Sequence, residues 1–154
     1  MTGSSADRDP RVGCGAAIVR DGRLLLIQRR LAPEAGAWSL PGGKIDLYET
    51  VQAAVEREVL EELGIVIKAE DLLCIMNHID PDAHVHWVAP VFLVTDYEGA
   101  PRLCEPGKHA ALGWFELDDL PSPLARSVVE AGEAIGARSD KIALAMPQRY
   151  FPLG

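Results

Sequence analysis

GKIDLYETVQAAVEREVLEELGI, residues 43–65, is the stretch on which the reading of this chain turns. Its centre predicts a helix from Thr50 to Leu63. Thr50 is suited to cap the first turn, and Gly64 stands where a helix stops. Val51, Val55 and Val59 recur every fourth residue, and Ala54 and Leu63 widen that apolar stripe. Glu58, Glu61 and Glu62 follow at i, i+3 and i+4, which puts them together on another side of the helix. Like charges so close repel. They stand either in water or around a cation.

The flanks favour the cation. Pro41-Gly42-Gly43 lies just upstream, and backbone approaches a ligand closely at glycine. Arg57 needs a carboxylate partner, and Glu49 is available at the helix start. Gly43, Glu49, Arg57, Glu58, Val59, Glu61, Glu62, Gly64 and Ile65 fill every fixed place of the pattern G-x5-E-x7-R-E-U-x-E-E-x-G-U, U being apolar. The chain therefore resembles the Nudix hydrolases, with a weaker likeness from about Val12 to Ile135. That resemblance implies a metal role for Glu58, Glu61 and Glu62. It also implies a Glu49–Arg57 pair that anchors the loop to the helix, and a homodimer.

Bulk properties set bounds. A length of 154 residues fits one domain, and 48% hydrophobic residues suffice for a core. No apolar run reaches the roughly 18 residues of a membrane helix, so no membrane partner is expected. The polar start, MTGSSADRDP, lacks an apolar signal core, and a cytoplasmic location is expected. Cys14, Cys74 and Cys104 make neither a disulfide framework nor a metal knuckle, and read as reduced core or strand residues. A net charge of −8 speaks against a nucleic-acid polymer as partner. It also disfavours a polyanionic small substrate unless cations neutralise both sides, which points to Mg²⁺, with Mn²⁺ as a substitute.

Along the chain, residues 1–10 read as a flexible leader, 11–136 as the hydrolase domain, and 137–154 as a tail packed on the domain or a partner subunit. Strands are expected at Val12–Arg20 and Arg23–Arg30 around an Asp21-Gly22 hairpin turn, with a loop from Leu31 to Gly36. Gly13 and Gly15 inside the first strand suggest a close approach by ligand or chain. Lys44 to Tyr48 reads as loop, and further strands are expected at Ile65–Ile67, Leu72–Ile79, His84–Tyr97 and Leu112–Phe115. Pro90 marks a bulge or an edge in the long strand, and a second helix is expected over Ser122–Ile135. Strands on both sides of a helix, with a late second helix, give an α/β fold with a mixed sheet. The resemblance sharpens this to a Nudix-type α/β/α sandwich.

Phosphoanhydride cleavage needs a nucleophilic water, charge neutralisation and a base. Glu58, Glu61 and Glu62 supply hard oxygen ligands for the metal, with the Gly42 or Gly43 carbonyl as a further one. Glu58 is the first candidate base, Glu61 the second, and Glu105 a third. Arg57 and Glu49 complete the catalytic set by holding its geometry. Arg29, Arg30 and Lys44 are candidate phosphate contacts, with Lys108 a further one, and Trp87 is a candidate stacking surface for a base. Asn77 is weighed for reading a base edge against a satisfied amide. The expected substrate is a small nucleotide. The leading activity is hydrolysis of a nucleoside triphosphate to a monophosphate and pyrophosphate. The alternatives are hydrolysis of ADP-ribose or another nucleoside diphosphate derivative, for which Pro81 is weak support, and a non-catalytic nucleotide sensor. Glu61→Gln and Glu62→Gln are expected to stay folded, on the premise that both side chains lie on an exposed face.

Overall fold

A computed structural model describes residues 9–138. Apart from residues 9, 10, 137 and 138, the expected leader and tail lie outside the described residues. The elements are β1 (Arg11–Arg20), β2 (Arg23–Arg29), β3 (Trp38–Ser39), β4 (Gly42–Lys44), α1 (Val51–Leu63), β5 (Asp71–Asp80), β6 (Val85–Val94), β7 (His109–Glu116) and α2 (Arg126–Gly136).

β1 and β2 are nearly continuous apolar runs because both of their faces are covered. Ala16, Ile18, Leu25 and Ile27 face one core with Ala54, Val55, Val59 and Leu63 of α1. Ala17, Val19, Leu24 and Leu26 face the other, with Val128, Ala131 and Ile135 of α2. Alternation along the strand thus builds two cores from one sheet, and the result is an α/β/α sandwich. The strand order is β3-β2-β1-β6-β5, with β4 also on β1 and β7 also on β2. β1 runs parallel to β6 and antiparallel to β2 and β4, so the sheet is mixed. Among the described residues no helix is long and apolar enough to cross a membrane.

One side of β1 is shared. β4 pairs with it at Gly13–Gly15 and β2 at Val19–Arg20, so two strands diverge from one. That divergence seats Gly42 and Gly43 against the first half of β1. A Cβ on Gly13 would stand 3.0 Å from the Gly43 carbonyl oxygen and 3.3 Å from the Trp87 ring. The close approach inferred for Gly13 is therefore by chain.

Several expectations are corrected. Pro90 is not at an edge: β6 lies between β1 and β5, and Pro90 pairs with Ile75. The pairing of β1 with β6 skips Ala89 and Pro90, where proline has no N–H to give. The register shift falls instead on β5, between Leu72 and Cys74. Ile65–Ile67 forms no strand but a single bridge, Val66 to Glu98, with both backbone bonds at 2.9 Å. Ile65 and Ile67 are buried around it, which produces strand-like alternation without a strand. β6 stops at Val94, short of Tyr97, whereas β7 begins three residues early at His109. The second helix starts at Arg126 rather than Ser122. The Trp38 N–H donates to the Pro123 carbonyl at 2.9 Å and the Ala125 N–H to the Trp38 carbonyl at 2.8 Å, so this segment pairs with β3 first. Lys44, placed in a loop from sequence, ends β4.

The decisive helix forms as read. The Thr50 hydroxyl accepts the Ala53 N–H at 3.1 Å, and Gly64 ends the helix at φ 69° with its N–H on the Leu60 carbonyl at 2.9 Å.

Candidate active site

α1 and the loop before it build the polar array. Arg57 grips Glu49 with both prongs, Nε to Oε2 at 2.7 Å and Nη2 to Oε1 at 2.8 Å. A planar guanidinium matches a carboxylate in this way. Its Nη2 also donates to the Lys44 carbonyl at 3.1 Å, tying the loop to the helix. Nη1 donates to Glu58 Oε1 at 3.0 Å and to Glu61 Oε2 at 3.3 Å. The pair shifts both partners: the Arg57 hydrogen bonds pull Glu49 down to about 2, and those from Glu49 push Arg57 upward.

The three helix carboxylates do not share one exposed face. Glu61 is exposed, Glu58 half-buried, and Glu62 buried at 3% exposure. The reason is rotation about the helix. Val55, Val59 and Glu62 are spaced i, i+4, i+7, so Glu62 continues the apolar stripe. That spacing was legible in the sequence. The Glu62 Oε2 has no hydrogen-bond partner among the described residues. Burial raises the carboxyl to about 9; the neighbouring Glu58 adds to this, and a hydrogen bond from the Gly42 backbone opposes it. His109, also buried, stands with Nε2 3.8 Å from Glu62 Oε2, and its own Nδ1 is unpartnered among the described residues. Burial holds His109 below the ordinary imidazole value. The sequence reading passed over His109, because no ligand spacing marked it. Glu105, the third candidate base, is engaged by Lys108 Nζ at 2.9 Å and adds its charge to the field on Glu62.

Beside the array lies a cavity of about 260 Å³. Arg29, Lys44 and Trp87 line it together with Gly42 and Gly43. Arg30 does not; its Nε donates to the Pro106 carbonyl at 2.8 Å. Arg29 is partly occupied, its Nε donating to the Pro33 carbonyl at 2.8 Å. Trp87 is half-buried, with the Arg11 guanidinium 5.7 Å from its ring centre. Asn77 is exposed and does not line the cavity; its N–H donates to Glu130 Oε2. Glu34 and His78 line the cavity too, and the sequence offered no pattern that joined them. Cys14 is a buried thiol in the same wall, raised to about 11 chiefly by burial, and all three cysteines are free.

The donor set suits a hard divalent cation. Carboxylate oxygens dominate, one of them on Glu62 is buried and unpartnered, and Gly43 leaves room where a Cβ would stand 2.5 Å from the Glu58 carboxyl carbon. Glu58, Glu61 and Glu62 would hold the ion. Among the described residues, however, no three His, Cys, Asp or Glu side chains converge as a ligand group. Arg57 draws Glu58 and Glu61 to itself while Glu62 turns inward.

A family model described as NUDIX domain matches residues 9–135. A crystal structure of a MutT NUDIX hydrolase from Burkholderia pseudomallei is 58% identical, covers 82% of this chain and 98% of that one, and superposes with a TM-score of 0.81. A Mycobacterium tuberculosis protein named putative 8-oxo-dGTP diphosphatase 2 is 52% identical over 68% of this chain and 72% of its own length. A Methanocaldococcus jannaschii ADP-ribose pyrophosphatase is 35% identical over 73% of this chain, and the match spans 65% of that protein's length.

Proposed function

Because this chain belongs to the Nudix hydrolase family, we propose that it hydrolyses a phosphoanhydride bond of a nucleoside triphosphate, releasing nucleoside monophosphate and pyrophosphate, with Mg²⁺ as cofactor and Mn²⁺ as a substitute. The observation that carries this reading is the junction at Gly43. The Glu58 carboxylate packs over it, and the cavity with Arg29, Lys44 and Trp87 opens beside it. A reacting phosphate and a bound base thus have adjoining places.

In this reading Trp87 stacks the base, and Lys44 and Arg29 bind phosphate oxygens. Glu58 orients the attacking water and takes its proton as the new P–O bond forms and the bond to pyrophosphate breaks. Glu61 stands in reserve for that proton. Arg57, clamped by Glu49, keeps Glu58 in register with the loop. Glu58, Glu61, Glu62 and the Gly43 carbonyl would hold the Mg²⁺, which would supply charge neutralisation on the non-bridging oxygens and a lowered pKa for water. The substrate is a free nucleotide and not a polymer. A homodimer in the cytoplasm belongs to the same reading; the exposed Leu72, Ile75 and Ile79 on edge strand β5 support the dimer.

Hydrolysis of ADP-ribose is the second reading, favoured by the name of the archaeal relative. Pro81 adds little, since its carbonyl accepts the His84 N–H at 3.2 Å in an ordinary turn. The mycobacterial relative, at the higher identity, is named for a triphosphate substrate, which supports the first reading. The test is a panel of triphosphates, ADP-ribose and nucleotide sugars with Mg²⁺, with phosphate and pyrophosphate measured separately. Pyrophosphate from triphosphates is expected, reduced at least about 100-fold in Glu58→Gln. Turnover of ADP-ribose alone gives the site to the second reading. Tight nucleotide binding with no turnover makes the protein a sensor.

A further inference from the structure

β5 is covered well on one face only. Cys74 and Met76 pack against the core that α2 closes. Leu72, Ile75 and Ile79 pair across from Phe92, Pro90 and His86, and Phe92 belongs to the core under α1, so all three turn to the α1 side. α1 packs over β1 and β2 and leaves them 46%, 51% and 60% exposed. Val12, exposed as well, pairs with Val88 on the same face and extends the strip. Large apolar side chains gathered on one sheet face mark an interaction surface.

The open edge of β5 is not that surface. The Leu72 carbonyl accepts a hydrogen bond from Arg138 Nη2 at 2.7 Å, and the Asn77 N–H donates to Glu130 Oε2 at 3.1 Å. Two groups that a further strand would need are thus taken by charged side chains, which guards a sheet edge against pairing. Arg138 Nη1 also donates to Asp71 Oδ1 at 2.7 Å. The last described residue is therefore tied to the first two residues of β5, at the head of the apolar strip.

Beyond Arg138 the sequence reads SDKIALAMPQRYFPLG, residues 139–154, past the family match that ends at residue 135. Ile142, Leu144 and Met146 alternate with alanines, and in an extended chain such residues share one side. At about 3.3 Å per residue, Ile142 lies within about 13 Å of Arg138 and Met146 within about 26 Å. By the same measure Leu72 to Ile79 spans about 23 Å along β5. We infer that the strip over Leu72, Ile75 and Ile79 is the docking surface for residues 142–146 of the same chain, which Arg138 delivers to its head. A tethered segment has an effective concentration that a free partner does not reach. A second copy on bare β5 would need the same side chains, so the two occupants exclude each other there. The inference does not rest on the hydrolase reading.

Methyl NMR on the full chain tests this. With Ile, Leu and Met methyls labelled together, Ile75→Val and Ile79→Val assign the two isoleucine signals. Nuclear Overhauser contacts are expected from Ile75 and Ile79 to Leu144 and Met146. They should vanish when copies labelled only at Ile are mixed and equilibrated with copies labelled only at Leu and Met, because the contact lies within one chain. Leu144→Asp should abolish them, shift the Ile75 and Ile79 signals and lower the melting temperature, with the Ile18 and Ile27 signals and turnover unchanged. Contacts that persist in the mixed sample give the strip to a second copy and overturn the inference. So does the lack of any contact from residues 142–146 to β5, or a Leu144→Asp variant whose Ile75 and Ile79 signals do not move. If no nucleotide is hydrolysed, the hydrolase reading fails and the methyl contacts still decide this one.

Discussion

At the scale of single residues, Glu62 is the most informative side chain. Its folded carboxyl is raised to about 9 from an ordinary value of 4.5. Between those values the folded state holds a proton that the unfolded state has released. Without metal, stability therefore falls as pH rises from about 4.5 to 9, by up to about 1.4 kcal/mol per pH unit. Urea unfolding in EDTA at pH 6 and pH 8 should show that slope, and Glu62→Gln should flatten it. Glu49 acts in the opposite sense. Its carboxyl is lowered to about 2, so its stabilisation is present above 4.5 and is lost as pH falls toward that value. Glu62→Gln should still fold, but because it removes a buried acid, not because it relieves repulsion on a surface. The sequence placed all three helix glutamates correctly in order. It could not say which way the third one turned, since a glutamate beside a valine stripe can be solvated or enclosed.

At the scale of elements, α1 joins a sequence-encoded cap to a core that the strands provide. Thr50→Ala should cost about 1 kcal/mol through loss of the bond to the Ala53 N–H. Leu63→Ala should cost about 2–5 kcal/mol, since that side chain is fully buried against the β1–β2 face. Both are read by chemical denaturation, and comparable losses would show that the helix is not anchored by its apolar stripe. The two helices differ in legibility for a physical reason. α1 carries its cap and stop in its own sequence. α2 starts at Ala125, receives its cap from Glu34, and is preceded by a segment paired to Trp38, so local reading put its start four residues early. The short strands β3 and β4 were missed likewise, because they exist only as partners of β2 and β1.

At the scale of the whole molecule, a net charge of −8 surrounds a site proposed to bind a polyanion. Cation binding should then be coupled to folding. Mg²⁺ at ten times its dissociation constant should add about 1.4 kcal/mol of stability, visible as a higher melting temperature that EDTA reverses. Glu62→Gln should reduce the gain. If Mg²⁺ raises neither the native melting temperature nor turnover, the metal assignment is wrong. Two cores on opposite faces of one sheet hold the site still: β1 contributes Ala16 and Ile18 to one and Ala17 and Val19 to the other, so neither helix can shift without disturbing the strand that carries Gly13 and Cys14.

By itself the sequence indicated the α1 boundaries and an α/β fold with a mixed sheet, and its resemblance to the Nudix hydrolases implied the reaction class, the Glu49–Arg57 clamp and the sandwich layering. The helix and its motif rest on spacing along one segment, where covalent geometry makes distance in sequence a measure of distance in space. Only the tertiary structure decided that Glu62 is buried beside His109, that Arg29, Lys44 and Trp87 line one cavity while Arg30 leaves it, and that Glu34 reaches from the β2–β3 loop to the start of α2. Those facts depend on which strands meet across the sheet. Pairing between segments far apart in the chain leaves no periodic mark within either of them.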